Sequence, residues 1–199
     1  MKLSIGNMRT IYLASQSPRR RELMGNLGIP FEICESGEEG KIEFNGDPGE
    51  FVLRLAKEKS QEPLKAIDSG IVITADTIVY INGEILEKPS GRADAVSMLE
   101  KLHGKTHQVY TGLCVSAKPE DICLKGYEAT DVTFSPMSSA EIEWYVNSGE
   151  YRDKAGAYAI QECASIFVKN IHGCYFNVVG LPLNRLYNLL MEMNSLLTK

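Results

Sequence analysis

Gly70-Ile71-Val72-Ile73-Thr74-Ala75-Asp76-Thr77-Ile78-Val79-Tyr80 is, apart from the C-terminus, the most apolar stretch of the chain. β-branched residues at Ile71, Val72, Ile73, Ile78 and Val79 predict a strand buried in an α/β sheet. Asp76 is the anomaly within it. A carboxylate left unpaired there would cost on the order of several kcal/mol, so it is expected to meet a cation, a metal or a proton. Asn82-Gly83 then signals a hairpin turn that returns the chain through Glu84 to Lys88. One hairpin thus presents Asp76, Glu87 and Lys88 toward the same cleft, and such opposed charges shift pKa values at active sites.

Upstream, Ile11 to Ala14 reads as a short buried strand running into Ser15-Gln16-Ser17-Pro18-Arg19-Arg20-Arg21. Ser17 suits an N-cap and Pro18 a first helical residue, so the unpaired amides of that turn face whatever lies in front. Arginines add fork-shaped donors suited to phosphate oxygens. The helix is expected over residues 18 to about 27, closed by Gly28, with a second short strand over 31–35 and an acidic, glycine-rich loop over 36–48 that carries Glu38 and Glu39. Asp47-Pro48-Gly49-Glu50 reads as a capping box opening a helix that buries Phe51, Val52, Leu55 and Ala56, with Lys57 and Lys59 toward its end.

Downstream, a helix is expected over 90–102, followed by long antiparallel strands over 107–117 and 122–134. Ser138-Ser139-Ala140-Glu141 is a second capping box, opening a helix to about Asn147. Residues 164–168 and 174–179 read as a hairpin around Asn170-Ile171-His172-Gly173, and residues 181–197 as a final amphipathic helix. Strand and helix alternate early and strands pair antiparallel later, which predicts an α/β class with a mixed sheet.

Composition narrows the chemistry. With 199 residues, 44% hydrophobic and 24% charged, the chain suits one large domain or two closely joined lobes. It has no apolar run of membrane-spanning length and no secretion signal at its start, so a cytoplasmic protein is expected. Cys34, Cys114, Cys123, Cys163 and Cys174 are an odd number without paired spacing, which argues against a zinc site or a disulfide framework and for small buried residues. His103, His107 and His172 lack metal-ligand spacing. A net charge of −5 disfavours a nonspecific nucleic-acid binder. Cations from separate segments, Arg19, Arg20, Lys59, Lys88 and Lys154, interspersed with Glu39, Asp76 and Glu87, suit a triphosphate with a divalent metal.

Five ordered motifs resemble one family. Leu13-Ala14-Ser15-Gln16-Ser17-Pro18-Arg19-Arg20, Ala75-Asp76-Thr77, Glu87-Lys88-Pro89, the run from Gly104 to Gly112, and Asp153-Lys154-Ala155-Gly156-Ala157-Tyr158-Ala159-Ile160-Gln161 follow the order seen in the Maf family of nucleoside triphosphate pyrophosphatases. The resemblance implies a single Maf-like domain over 1–199, an elongated mixed β-sheet flanked by helices with two lobes around a central cleft, similar to inosine triphosphate pyrophosphatases. It implies metal-dependent hydrolysis of a nucleoside triphosphate to the monophosphate and pyrophosphate, with Mg2+ or Mn2+. Ser-Pro-Arg-Arg, Ala-Asp-Thr and Ala-Tyr-x-Ile-Gln resemble the dTTP and UTP branch, whereas the 7-methyl-GTP branch carries Trp after the proline and Ser-Asp-Gln in the second motif.

By the same resemblance Asp76 is the general base and a metal contact, and Glu39 helps hold the metal. Ser15, Ser17, Arg20, Lys59 and Lys88 hold phosphates, while Arg19, Thr77 and Gln161 select the base. A homodimer is compatible with this reading. Glu162 departs from the pattern, standing where the family usually has glycine. It motivates one alternative, a nucleotide-binding regulator of cell division and septum formation with little catalysis; a second alternative is a pyrophosphatase for modified nucleotides.

Overall fold

The computed structural model describes residues 9–37 and 42–198. Its centre is the strand picked out above. β3, Gly70–Ile81, pairs along one edge with β5, Thr106–Lys118, antiparallel from Gly70 opposite Lys118 to Tyr80 opposite Gln108. β5 pairs antiparallel with β6, Ile122–Phe134, and β6 with β7, Val168–His172.

The other edge of β3 is shared. β1, Ile11–Ala14, lies parallel to Ile71–Ile73 and carries β2, Glu32–Cys34, beyond it. β4, Glu84–Leu86, folds back antiparallel over Val79 to Ile81. Between them, residues 74–78 have no strand neighbour on that edge among the described residues. The seven-stranded sheet runs β2-β1-β3-β5-β6-β7 with β4 beside β3, so the expected mixed α/β sheet is borne out. The interval beyond the carboxyl end of β1 is a notch where the strand order switches, and open α/β sheets bind ligands at such places.

Alternation sorts β3 between two environments. Ile71, Ile73, Ala75, Val79 and Ile81 enter the main core with Leu13, Leu113 and Phe134. The helices α3, Arg92–Leu102, α4, Ser139–Ser148, and α6, Leu183–Leu197, contribute Leu99, Tyr145 and Leu186 to it. On the opposite face Ile78 joins Phe51, Val52 and Leu55 of α2, Pro48–Lys65, and Thr74 donates its hydroxyl to Ala56 O at 2.6 Å. Thr74, Asp76 and Ile78 therefore all look toward α2.

Local sequence explains the helix ends. Asp47 caps α2 by accepting from the amides of Gly49 (2.9 Å) and Glu50 (3.1 Å), and Lys118 donates to Leu64 O and Ile67 O, satisfying carbonyls near its far end. α2 runs through Pro63 to Lys65, so Lys59 lies in the body of the helix rather than toward its end. The capping box at Ser138 and Glu141 forms as read from the sequence.

The hairpin expected over residues 164–179 does not form. Residues Cys163–Phe167 make a 3-10 turn, β7 takes up residues read as the hairpin's turn, and Tyr175–Val179 is a short helix, α5. Five mostly apolar residues cannot be told strand from helix by periodicity. Here the decision is tertiary: Asn177, fully buried, donates to Val109 O at 2.8 Å and Thr130 Oγ1 at 2.9 Å, contacts that hold this turn of helix against β5 and β6.

Candidate active site

The notch opens into a cleft of about 830 Å3. Every residue given a role by the family resemblance lines it except Glu39, which lies outside the described residues. Glu87, expected to face the same cleft from the hairpin, is not on its wall: its carbonyl accepts from Gly156 N at 3.1 Å, and it is an exposed residue outside the cleft lining. Since the open interval belongs to one edge of β3, the cleft reaches both faces of the sheet. Asp76, Lys59, Ser36 and Gly37 line it on the α2 side, and Thr77, Val79, Val109 and Tyr158 on the other.

Asp76 has the cation its burial demands. It is 8% exposed, and its carboxylate accepts from the ammonium of Lys59, which reaches down from α2. The strand supplies the carboxylate and the helix the ammonium, seventeen residues apart in sequence. Both remain on the cleft wall.

The loop after β1 is shaped by its own hydroxyls. Ser15 Oγ accepts from Ser17 N at 3.2 Å, and Ser17 Oγ accepts from Arg20 N at 3.5 Å, making Ser17 the N-cap of α1, Pro18–Gly25. The first turn of α1 thus faces the cleft as the sequence implied. Arg19 beside it is half-buried; burial draws its guanidinium below the ordinary arginine value, while Glu162 and Asp153 act against that shift.

Arg20 behaves differently from the expectation of a plain phosphate ligand. It donates through Nε to Gly180 O (2.8 Å), through Nη1 to Ala75 O (2.9 Å) and through Nη2 to Thr77 Oγ1 (3.0 Å). It is first a strut, filling the unpaired edge of β3 and tying it to the turn after α5. The bonds fix proton directions further on. Thr111 donates to Asn177 O at 3.0 Å, so the 2.9 Å contact between Thr77 and Thr111 is satisfied with Thr77 as donor. With its proton spent on Thr111 and one lone pair on Arg20, Thr77 can offer a ligand only an acceptor.

Lys88 and Gln161 line the cleft as exposed side chains. Residues that sequence reasoning left out of the site include Ser36, Gly37, Asp153 and Tyr158, with Lys154 noted only among the cations. Burial and the neighbouring Arg19 both lower the Lys154 pKa, with Glu162, Asp153 and Glu150 opposing. Glu162 is therefore within electrostatic reach of both cations at this end of the cleft. The signal for Asp153, Lys154 and Tyr158 was present, since all stand in the fifth motif.

Tyr158 is held from behind. Its hydroxyl meets His107 Nε2 at 2.8 Å, and His107 is 1% exposed, packed edge-on against Phe134. Burial pushes the His107 pKa down to about 4, with Asp131 opposing. The unfolded chain, with an ordinary value near 6.5, therefore takes up this proton first. His107 contributes its stability in full above pH 6.5, and loses it as pH falls toward about 4. Between pH 7 and pH 5 this group alone should cost about 2 kcal/mol. Urea midpoints at the two pH values should therefore converge in His107→Gln, and an undiminished difference would assign the pH dependence elsewhere.

An open mixed sheet whose switch point gathers one paired carboxylate and several cations defines a protein built around a small polyanion. The family model described as Maf-like protein matches residues 10–193, and the chain belongs to the Maf family. A dTTP/UTP pyrophosphatase of Clostridium perfringens (strain SM101 / Type A) is 45% identical over 182 residues, covering 90% of this chain and 95% of that protein. The dTTP/UTP pyrophosphatase of Ruminiclostridium cellulolyticum is 45% identical over 193 residues, 96% of this chain and 100% of its own length. That of Clostridium tetani is 44% identical over 184 residues, 91% and 96% of the two chains.

Proposed function

We propose that this protein is a nucleoside triphosphate diphosphatase that hydrolyses dTTP and UTP to the monophosphate and pyrophosphate, with a divalent cation. The observation that carries the reading is the Asp76–Lys59 contact on the wall of a cleft that also presents Arg19, Lys88 and Gln161. The names of the relatives supply the substrate class.

In this mechanism Asp76 accepts a proton from water as the water oxygen bonds to the α-phosphorus. The bond from that phosphorus to the bridging oxygen breaks, and pyrophosphate leaves. Charge on the leaving group is met by Lys59, Lys88, Ser15, Ser17 and the Arg19 amide in the first turn of α1, the electrostatic help phosphoryl chemistry needs. Arg20 acts by holding the edge of β3 that carries Asp76.

The donor set fits a hard cation. Asp76 and Asp153 bring carboxylate oxygens to the cleft, and Mg2+ is commonly held by one or two carboxylates together with substrate phosphates. Among the described residues no three His, Cys, Asp or Glu side chains form a closed metal cage. With a triphosphate supplying oxygens, such a cage is unnecessary. Asp76 would hold the ion, with Glu39 by family resemblance, and the ion would neutralise phosphate charge.

The base end follows from proton directions. Uracil and thymine present an N–H between two carbonyls, and Thr77 offers an acceptor, Arg19 a donor, and Gln161 both. Cytosine replaces one carbonyl with an amino donor and meets Arg19 poorly. The 5-methyl group distinguishes the two favoured substrates by only about 1–3 kcal/mol in a nonspecific apolar contact.

A nucleotide panel tests the proposal. dTTP and UTP should exceed dCTP and the purine triphosphates by about 100-fold or more in kcat/KM, a discrimination expected of hydrogen-bonded recognition. Pyrophosphate should be the first product, EDTA should abolish turnover and added Mg2+ should restore it. Orthophosphate as first product, or no turnover across the panel, would overturn the assignment. No helix of the described residues is long and apolar enough to cross a membrane. The proposal extends to one domain folded round one cleft, a cytoplasmic location where these nucleotides are pooled, and a homodimer.

A further inference from the structure

We propose that Cys114 and Cys123 form a reversible oxidation site: a hydroperoxide oxidises the exposed Cys123, and Cys114 resolves the product as an intrachain disulfide. The two residues lie on adjacent strands. Cys114 stands opposite Lys125 and Cys123 opposite Ser116, which puts the thiols on one diagonal of the β5–β6 pair, under α2. Their sulfurs are 3.5 Å apart.

The surroundings divide the roles. Cys114 is fully buried, with Ser116 Oγ at 3.3 Å and Ser60 Oγ of α2 at 3.8 Å from its sulfur. Cys123 is exposed, contrary to the small buried cysteine expected from sequence. Hydrogen bonding from Cys114, with Ser116, Lys57 and Lys125 nearby, lowers the Cys123 pKa against partial burial, whereas the same contact and burial raise that of Cys114. The accessible thiol is thus the better thiolate, and the thiolate is the reacting form.

The chemistry balances with peroxide as the oxidant. The Cys123 thiolate attacks one peroxide oxygen, the O–O bond breaks, and with one proton taken up the products are a sulfenic acid and water, or an alcohol from an organic hydroperoxide. Cys114 sulfur then attacks Cys123 sulfur, its proton leaves with the hydroxyl as water, and the S–S bond forms. The sulfurs close from 3.5 Å to about 2.05 Å by side-chain rotation and local strand adjustment. Without a resolving thiol, a sulfenic acid proceeds to sulfinic and sulfonic acids that common thiols do not reverse.

The test oxidises the reduced full chain with equimolar hydrogen peroxide and maps peptides by mass. The expected product has lost about 2 Da, links the peptides containing Cys114 and Cys123, and lowers titratable thiols from five to three. Dithiothreitol should restore all five. In Cys114→Ser, where hydroxyl neighbours accept the replacement, Cys123 should instead gain oxygen that dithiothreitol does not fully remove. Cys123→Ser, at an exposed position, should form no crosslink. Oxygen accumulating on Cys123 of the unaltered chain, a crosslink to another cysteine, or oxidation elsewhere while this pair stays reduced would each overturn the proposal.

Discussion

Asp76→Asn is expected to lower kcat for pyrophosphate release by about 10³-fold, within the range attributed to a positioned general base. Substrate affinity should change far less. The amide keeps the side-chain volume and a hydrogen-bonding oxygen, so the strand and α2 retain their packing, but it cannot accept the water's proton at neutral pH. Lys59 then loses the carboxylate it faces across the cleft wall. In a dry core that would be severely destabilising, but both side chains remain partly exposed, at 15% for Lys59 and 11% for Asp76, so solvent moderates the loss. The split between kcat and Kd distinguishes the two ways this carboxylate could matter. A structural acid would alter nucleotide affinity and Tm along with kcat; a base would alter kcat with affinity within a few-fold. Single-turnover hydrolysis and calorimetric nucleotide binding read the two quantities. Turnover within tenfold of the unaltered protein would remove Asp76 from the chemistry.

Much of this arrangement was legible because burial and charge conflict openly at one residue. A carboxylate amid isoleucines and valines has few explanations, and the structure supplies one, Lys59. Ser17 and Pro18 carried a local cap signal that needs no tertiary context. What local pattern could not reveal is the sharing of one β3 edge by β1 and β4, which creates the notch from strands far apart in sequence. Nor could it assign the acceptors of the Arg20 guanidinium, since Ala75 O and Gly180 O are backbone groups available only once the fold brings them together. The missed hairpin has the same origin: the buried bonds of Asn177 override a period too short to read.

Gly112→Ala should be among the costliest one-carbon changes in the molecule, although it lies in a strand and touches no substrate. Gly112 pairs with Asp76 across β3 and β5, on the face that looks toward α2. A Cβ there would stand 2.3 Å from Val52 O and 2.5 Å from Val52 C. Both are helix backbone, so no side chain can swing aside. Either α2 lifts from the sheet or β5 bends, opening the cluster of Phe51, Val52, Leu55 and Ile78. Overpacking of this kind costs about 3 kcal/mol, equivalent to a Tm fall of about 6–12 °C for a chain of this size. Gly91→Ala is the matched control. Nothing lies within 4 Å of its added carbon and its φ of 174° is extended, so only the poorer fit of alanine to the N-cap of α3 counts against it, and its stability should fall by no more than about 1 kcal/mol. The Gly112 change should also reduce kcat, because the displaced helix carries Lys59 away from Asp76. Scanning calorimetry and turnover measured on both variants test this link. If Gly112→Ala melted within 2 °C of the unaltered protein and kept full turnover, close seating of α2 on the sheet would not be what presents Lys59 to Asp76. A loss at Gly112 without a comparable one at Gly91 would instead identify the missing side chain as the space that lets a helix backbone descend onto the sheet beside its buried acid.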